Sequence, residues 1–289
     1  MYVIVGATGN TGRVVAEQLL AEGREVRAWV RSEARGADLA EAGASLAVVD
    51  VEDDASVRAG FEGARAAYLM LPPPDYSKDG FLATRARIAK RLVDGAVAAG
   101  LEHVVLLSSI GAQHPEGTGV IRSLHHTEEL LRASAIPATF LRPAYFVENW
   151  GSVLPAAQGD GVLPQMLGDA TAPVPMVATR DIGRAAARAL LEGPSAAGVI
   201  ELEGPTRPSP VDIAASVASI LGRPVAPIDV PFDAQVATLQ SFGMSQDVAS
   251  LFNEMNRGIA AGHVTFDGSG THERGETDAT TVLRALLNA

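Results

Sequence analysis

Two patterns of apolar and polar positions alternate along the first half of the chain. Short, mostly apolar runs are separated by longer segments in which apolar residues recur every three or four positions. The runs predict β-strands at residues 2–5, 25–30, 45–49, 66–71, 103–107 and 138–141. The intervening segments predict helices at residues 11–23, 53–61, 81–99 and 120–134, with a further short helix within 36–43. This alternation is typical of βαβ units, so it predicts an α/β fold with a doubly wound parallel sheet.

The pattern changes after Pro143. Residues 155–175 are rich in Gly and Pro, which favours a loop with short strands. Further elements are predicted as a helix at 179–191, a strand at 198–202, helices at 210–221, 233–242 and 246–260, a polar loop at 267–276 and a terminal helix at 278–287. We interpret the later part as a smaller, mostly helical C-terminal lobe. The predicted domains are residues 1–150, to which 176–203 return, and a substrate lobe made of 151–175 and 204–289.

Single residues at the predicted helix ends support this register. Gly23, Gly43 and Gly100 fall where helices should stop, and glycine is the residue that most easily ends a helix. Asp53 and Thr179 fall where helices should start, and their side chains are of the kind that caps free N–H groups.

Composition excludes several classes of protein. The 289 residues carry a net charge of −11, which argues against a nucleic-acid binder or a protein of anionic membrane surfaces. Cysteine is absent, so disulfides, thiolate catalysis and zinc–thiolate sites are excluded. The six histidines form no HExxH motif, and we predict no metal site. No run of about 18 apolar residues and no secretory leader is present, so we expect a cytoplasmic protein that does not enter the membrane.

A glycine loop follows the first predicted strand and opens the first helix. The sequence GATGNTGR has the spacing GxxGxxG. Gly6 permits a tight turn, Gly9 lets the backbone approach a pyrophosphate, and Gly12 lets the helix pack closely on the sheet. The free N–H groups at the helix start attract phosphate. Further donors can come from the side chains of Thr8, Asn10 and Thr11. A glycine-rich turn without a ligand is the alternative, but this strand–turn–helix context favours a dinucleotide.

The end of the second strand favours NADP(H) over NAD(H). An NAD site typically has Asp or Glu there to accept from the ribose 2′-OH, whereas this chain has Arg31. An arginine pairs with a 2′-phosphate, and residues 24–35 hold four Arg and only two Glu. A solvated arginine at a strand end, with NAD(H) as the cofactor, remains the alternative. Asp50, after the third strand, either accepts from an adenine amino group or caps the turn into 52–54.

An ordered series of motifs then resembles one protein family. The motifs are GATGNTGR, Arg31, LPPP at 71–74, Ser108-Ser109, Thr127-Glu128, LRPAYFVENW at 141–150, ATRD at 178–181 and the segment from 202 to 205. Together they resemble the NmrA-like branch of the atypical short-chain dehydrogenase/reductases, and within it the NAD(P)H-dependent quinone oxidoreductases. The likeness extends over nearly the whole chain.

The resemblance implies a Rossmann-like sheet with NADP(H) across its C-terminal edge and a small lobe over a substrate cleft. It places Gly6 to Gly12 and Arg31 at the adenosine and phosphate half of the cofactor. The remaining contacts that it implies are Asp50 and Val51 at the adenine, Leu71, Pro72 and Pro73 beside the ribose and pyrophosphate, and Ser108, Pro143 and Tyr145 near the nicotinamide.

The usual catalytic pair of short-chain dehydrogenases is missing. None of the four tyrosines is followed by lysine at the fourth position, so the Tyr-x-x-x-Lys acid is absent. In the family that this chain resembles, many members carry Lys or His four residues before the glutamate that corresponds to Glu128, and this chain has Leu124 there. His126 is the substitute proton donor that we consider, against the alternative of a solvated histidine. Tyr145 is the second catalytic candidate, since it and Asn149 are one helical turn apart; the alternative is an aromatic packing element.

Three functions follow from these observations. The first is an NADPH-dependent reductase of quinones or related small electrophiles, because a quinone needs a positioned hydride and water can supply the proton. The second is a non-catalytic NADP(H) sensor that binds a regulatory protein partner. The third, an extended-type reductase or epimerase of a natural product, is disfavoured without the tyrosine–lysine pair. A small-molecule substrate is expected, and a homodimer is left open.

Overall fold

The computed structural model describes residues 1–288. Its strands are β1 (Tyr2–Ile4), β2 (Val26–Val30), β3 (Ser45–Val48), β4 (Ala66–Leu69), β5 (His103–Leu107), β6 (Ala138–Pro143), β7 (Tyr145–Phe146), β8 (Val162–Gln165), β9 (Met176–Val177), β10 (Gly198–Glu203), β11 (Ala226–Asp229) and β12 (Thr271–Arg274). Its α-helices are α1 (Asn10–Ala21), α2 (Ala37–Glu41), α3 (Asp54–Phe61), α4 (Phe81–Ala98), α5 (Arg122–Ala133), α6 (Leu154–Asp160), α7 (Thr179–Glu192), α8 (Pro210–Leu221), α9 (Phe232–Ser241), α10 (Gln246–Ala260) and α11 (Ala279–Leu287). Short 3₁₀ helices lie at Glu33–Gly36, Gly119–Ile121, Val147–Ser152 and Gly193–Ala196.

Eight of these strands form one parallel sheet in the order β3-β2-β1-β4-β5-β6-β10-β12. The strand order changes direction between β1 and β4, where open α/β sheets bind ligands beyond their carboxyl ends. This arrangement confirms the predicted Rossmann-like, doubly wound sheet.

Both faces of the sheet are buried. On β1, Tyr2 and Ile4 pack against α1 and α7, while Val3 packs on the opposite face against α3 and α4. Successive strand residues point to opposite faces, so a strand buried on both sides reads as a continuous apolar run. Helices α1 and α7 approach closely because Gly183 has no side chain: a Cβ there would lie 2.5 Å from the Cβ of Val14.

A separate cluster of apolar side chains lies in the later part of the chain. It joins the segment around Trp150 and Leu163 to Ile213 of α8 and Leu283 of α11. Two short parallel pairs, β7 with β9 and β8 with β11, brace this region. The division into the two predicted domains stays a prediction. No helix within residues 1–288 combines the length and apolar character needed to cross a membrane.

Two loop predictions are wrong. Residues 271–274 of the predicted loop 267–276 form β12, the edge strand of the sheet. The strand lacks apolar alternation because His272 and Arg274 pair with the buried carboxylate of Glu203 on β10. Residues 154–160, partly within the predicted loop 155–175, form α6, which Pro155 opens at its first turn, where proline fits a helix.

The predicted helix ends are confirmed except at Thr179. Gly23, Gly43 and Gly100 all have positive φ, at 66°, 101° and 67°. The Asp53 carboxylate accepts the N–H groups of residues 55 and 56 and caps α3. Thr179 is the first residue of α7 rather than its cap: its N–H and hydroxyl both donate to Glu148 Oε1, at 2.9 and 2.6 Å. The cap therefore comes from a distant carboxylate.

Candidate functional site

The glycine loop makes a tight turn between β1 and α1. Gly6 has φ +71°, in the left-handed region that favours glycine, and its carbonyl accepts the Gly9 N–H at 2.9 Å. A Cβ on Gly12 would lie 2.3 Å from the same carbonyl oxygen. Gly12 therefore lets the first turn of α1 lie directly against the loop at Gly6 and Ala7, whereas the predicted contact was with the sheet.

The start of α1 offers free donors. Within residues 1–288 the N–H groups of Asn10, Thr11 and Gly12 have no backbone acceptor and no side-chain cap, and the first turn holds no acidic residue. Such an end attracts an anion through its N–H groups and the helix dipole. The Thr11 side chain is buried and accepts the Tyr68 hydroxyl at 2.8 Å, so it fixes α1 on β4.

A groove of about 760 Å³ runs from this turn along the ends of β2, β3 and β4. Eight predicted cofactor contacts lie on its wall, namely Gly6, Thr8, Gly9, Arg31, Asp50, Val51, Pro72 and Pro73. Asn10, Thr11 and Gly12 do not line it, and they form the start of α1 directly after Gly9 on its wall. Pro143 does not line it either, since it is buried at the end of β6 and its carbonyl accepts the Ile110 N–H at 2.9 Å.

The groove carries unpaired positive charge at the end of β2. Arg31 is exposed there, Arg35 lines the groove with it, and neither has a carboxylate within 4 Å among residues 1–288. Asp50 keeps both predicted options: its Oδ1 accepts the Glu52 N–H at 2.9 Å, and it also lines the groove. A tight glycine turn, free helix N–H groups and two free guanidinium groups together fit a phosphorylated dinucleotide.

A second cavity, of about 530 Å³, opens from the other end of the groove. Three predicted contacts, Leu71, Ser108 and Tyr145, lie on its wall. Met70 and Phe81 line both the groove and the cavity, so the two spaces adjoin each other at these side chains. The cavity lies at the carboxyl ends of β4, β5 and β6, and its size is that of a small-molecule site.

A buried ion-pair network supports the cavity wall at Ser108. The Ser108 hydroxyl donates to Glu128 Oε1 at 2.5 Å, and Arg142 donates to both carboxylate oxygens of Glu128, at 2.9 and 2.7 Å. Arg132 adds a bond at 3.0 Å. Burial alone would raise the pKa of the Glu128 carboxyl, but the hydrogen bonds from Arg142 and Ser108 outweigh it and hold the pKa below its ordinary value.

Tyr145 is a neutral hydrogen-bonding group at neutral pH. Burial raises the pKa of its hydroxyl to about 12, against a smaller opposing effect of the hydrogen bond with Asn149. Tyr145 and Asn149 both line the cavity, and the Trp150 ring packs edge-on against Tyr145 at 6.4 Å between centroids. The packing role considered for this segment is thus present, and the hydrogen bonding of Tyr145 and Asn149 to a ligand stays a prediction.

His126 is not brought to the site. It is exposed on α5 and lines neither the groove nor the cavity, whereas Leu124 lies on the cavity wall. Each helix residue is turned by about 100° from the one before it, so His126, two positions after Leu124, faces nearly the opposite way. The neighbouring His125 is held by a contact of 2.8 Å between Nδ1 and the Ala112 carbonyl. This placement gives no support to a catalytic His126. No group of three or more metal-ligating side chains occurs within residues 1–288.

Arg85 and Arg207 were missed by the sequence reasoning, although both line the cavity. Arg85 carried a readable signal: it lies four residues after Phe81 and three before Ile88, which puts an arginine on the buried face of α4. Arg207 lies four residues after its partner Glu203, but this spacing alone does not indicate that Arg207 lines a cavity.

Comparison with known proteins agrees with this geometry. Two curated relatives are similar over most of the chain. The (4-alkanoyl-5-oxo-2,5-dihydrofuran-3-yl)methyl phosphate reductase of Streptomyces griseus is 30% identical over 244 residues, covering 83% of this chain and 81% of the relative. Quinone oxidoreductase 2 of Escherichia coli is 27% identical over 273 residues, covering 94% and 92%.

Solved structures share the fold. The Escherichia coli NADPH-dependent quinone oxidoreductase QOR2, crystallised with NADPH, superposes with a TM-score of 0.81 at 26% identity and covers all of both chains. NmrA, a negative transcriptional regulator crystallised with NADP, gives a TM-score of 0.73 at 20% identity, covering 98% of this chain and 94% of its own. NmrA was also crystallised with NAD. The predicted NADP(H), with NAD(H) as the alternative, agrees with the dinucleotides in these neighbours.

The family profile decides the classification. The profile of the NmrA-like family matches residues 2–271. This range includes the glycine loop and the whole cavity wall, and it ends at the first residue of the edge strand β12. The resemblance seen in the motifs is thereby confirmed. The chain belongs to the NmrA-like family.

Proposed function

We propose that this protein is an NADPH-dependent oxidoreductase that reduces quinones or related small electrophiles by hydride transfer. One observation carries the proposal: a groove that begins at the glycine turn adjoins a mainly apolar cavity, and Met70 and Phe81 line both. The two similar curated relatives are reductases by name, one of a quinone and one of an oxo-dihydrofuran phosphate.

Residues along the groove have separate tasks in holding the cofactor. The turn at Gly6 and Gly9 and the free N–H groups of α1 hold the pyrophosphate. Arg31 and Arg35 pair with the 2′-phosphate, Asp50 and Val51 contact the adenine, and the loop from Leu71 to Pro73 contacts the adjacent ribose. Ser108 and Tyr145 lie at the nicotinamide end. When bound, NADPH supplies the hydride.

The cavity positions the substrate and keeps water away from it, but it supplies no strong proton donor. Its wall is mainly apolar, with Leu124 where the family often has Lys or His. Tyr145 stays protonated near pH 7, so it can donate a hydrogen bond to a substrate carbonyl. A quinone needs one hydride and one proton, and solvent provides the proton, which matches a cavity without a strong proton donor.

NADPH oxidation followed at 340 nm with a panel of benzoquinones and naphthoquinones tests the proposal. Saturable turnover with at least one acceptor is expected, and the Gly12→Ala variant should lose it. Tight NADPH binding with no turnover of any acceptor would overturn the reductase and favour the second candidate.

The second candidate is a non-catalytic NADP(H) sensor with a regulatory protein partner. Leu124 favours it, because the cavity lacks the family's usual polar group at that place. We also retain the cytoplasmic location, the two-domain division and the homodimer option as predictions.

A further inference from the structure

Arg85 is an arginine of the cavity wall without a charge partner. It projects from α4 next to Phe81, with its guanidinium carbon 5.4 Å from the centre of that ring. Neither the cofactor groove nor the proposed hydride transfer requires Arg85. A partly buried cation needs either a counter-ion or a ligand, because burial without a partner is unfavourable.

Three of its five N–H groups are used within the protein. Nε donates to Ser123 Oγ at 3.2 Å, and Nη1 donates to the carbonyls of Leu71 and Pro72 at 3.1 and 3.0 Å. These acceptors are neutral. Nη2 has no acceptor within residues 1–288, and no carboxylate of that range lies within 4 Å of the guanidinium. One edge of the guanidinium is therefore fixed and the other is free.

Arg207, the other arginine on the cavity wall, provides the contrast. Its Nε and Nη2 donate to the two carboxylate oxygens of Glu203, at 2.5 and 3.1 Å. Arg207 therefore has a carboxylate partner, which it shares with Arg274. Asp169, the acidic residue of the wall, is occupied by the N–H and hydroxyl of Thr171 and forms no ion pair with Arg85. Of the two arginines on the wall, Arg85 is thus the one without a carboxylate partner among residues 1–288.

Arg85 keeps its charge at neutral pH. Burial lowers the pKa of its guanidinium to about 10, which is still well above 7. A fixed guanidinium with free N–H donors at the wall of a mainly apolar cavity is suited to a carboxylate, sulfonate or phosphate oxygen.

We propose that Arg85 binds an anionic substituent of the substrate, so that the preferred substrates are small electrophiles that carry a carboxylate, sulfonate or phosphate group beside an apolar ring. This inference rests on the proposed function for the identity of the site. It extends that function by specifying that the substrate is negatively charged and that Arg85 binds the charged group.

A matched pair of ring ligands tests the inference without turnover. Naphthalene-2-sulfonate is an anion, and naphthalene-2-sulfonamide has nearly the same shape but is neutral at pH 7. Their affinities are measured by calorimetry on the full chain with saturating NADP⁺, which fills the groove and keeps the sulfonate from Arg31. We expect the sulfonate to bind on the order of tenfold to a hundredfold more tightly, the range of a charge-assisted hydrogen bond.

Three variants assign this preference to Arg85. Arg85→Gln should bind both ligands equally, Arg85→Lys should keep part of the preference, and Lys90→Gln, which removes an exposed charge from the same helix, should keep all of it. If Arg85 only held the carbonyls of Leu71 and Pro72, its loss would weaken both ligands alike and leave their ratio unchanged.

The outcomes separate this inference from the proposed function. Equal affinities in the wild type, or a preference that survives in Arg85→Gln, would overturn the role of Arg85; loss of the preference in Arg207→Gln alone would assign the anion to that residue instead. Turnover of a panel of neutral and sulfonated quinones is measured separately. Its absence with every acceptor, beside an intact sulfonate preference, would overturn the reductase and leave the anion site standing.

Discussion

Ser108 donates its hydroxyl proton to the buried carboxylate of Glu128 across 2.5 Å, and so joins the end of β5 to the middle of α5. Because the proton is directed to Glu128, the lone pairs of Oγ are what the Ser108 hydroxyl can still offer to a ligand in the cavity that this residue lines. Ser108 is then an acceptor for an amide or hydroxyl group of a ligand. A serine whose hydroxyl was free to rotate could act either as a donor or as an acceptor.

The pairing of Glu128 with Arg142 leads to a stability prediction. Both side chains are almost fully buried, at 2% and 4% exposure. Glu128→Gln removes the negative charge and leaves the Arg142 guanidinium buried without its main partner, which should lower the free energy of unfolding by about 3 kcal/mol. Urea denaturation measures this change. The exposed neighbour provides the control: Glu129→Gln should change stability by less than about 0.5 kcal/mol.

The same pair predicts how stability depends on pH. Burial opposes ionisation of Glu128, but the bonds from Arg142 and Ser108 prevail and lower its pKa below that of the unfolded chain. Its stabilisation is therefore complete above about pH 4.3, the ordinary pKa of glutamate, and is lost as the pH falls through the lower folded-state pKa. The stability gap between wild type and Glu128→Gln should narrow over that range. If the difference in free energy of unfolding between the two proteins stayed constant down to pH 3, the lowered pKa of Glu128 would be contradicted.

Tyr145 should donate a hydrogen bond over a wide range of pH. Since burial raises the pKa of its hydroxyl to about 12, the group stays protonated from pH 6 to 10. Tyr145→Phe should lower kcat/KM for a quinone several-fold, up to about tenfold, by the same factor at each pH in that range. Tyr76→Phe is the control on the same cavity wall and should have little effect. An ionisation near pH 8 that disappears in Tyr145→Phe would overturn this role.

The glycine loop predicts a sharp difference between two Gly→Ala changes. In Gly12→Ala the new Cβ would lie 2.3 Å from the Gly6 carbonyl oxygen, so the loop must move away from α1. We expect a loss of at least 1–3 kcal/mol of stability, as for other overpacked sites, together with lost NADPH affinity. Gly159 of α6 is exposed and nothing lies within 4 Å of its Cβ position. Gly159→Ala should be neutral or stabilising by up to about 1 kcal/mol, and thermal unfolding compares the two.

The site was predictable from sequence where local chemistry decides it. Gly6 and Gly12 follow a strand and open a helix, and the structure places them in such a turn. His272 and Arg274 were misread as loop because the carboxylates that stabilise their strand come from β10, about 70 residues earlier. Arg207 was missed for a different reason: its partner Glu203 is only four residues earlier, but the cavity that Arg207 lines is formed by segments distant in the sequence. Contacts between distant segments leave no period in the local sequence.

The exposed Arg31 predicts the preference between the two dinucleotides. It lines the groove at the end of β2 and has no carboxylate within 4 Å in residues 1–288, so its guanidinium is available to a 2′-phosphate. Arg31→Ala should weaken NADPH binding by about tenfold to a hundredfold, the range for a charged hydrogen bond, and should change NADH binding little, because NADH has no phosphate at that position.

Fluorescence titration of both nucleotides measures the effect of Arg31→Ala. Arg24→Ala, which removes an exposed arginine outside the groove, should leave both affinities unchanged and thereby excludes a general effect of net charge. A double variant with Arg35→Ala should weaken NADPH further if the two guanidinium groups share the phosphate. Equal losses for NADPH and NADH in Arg31→Ala would show that this residue contacts a part common to both nucleotides, and the 2′-phosphate would then have to be recognised elsewhere in the groove.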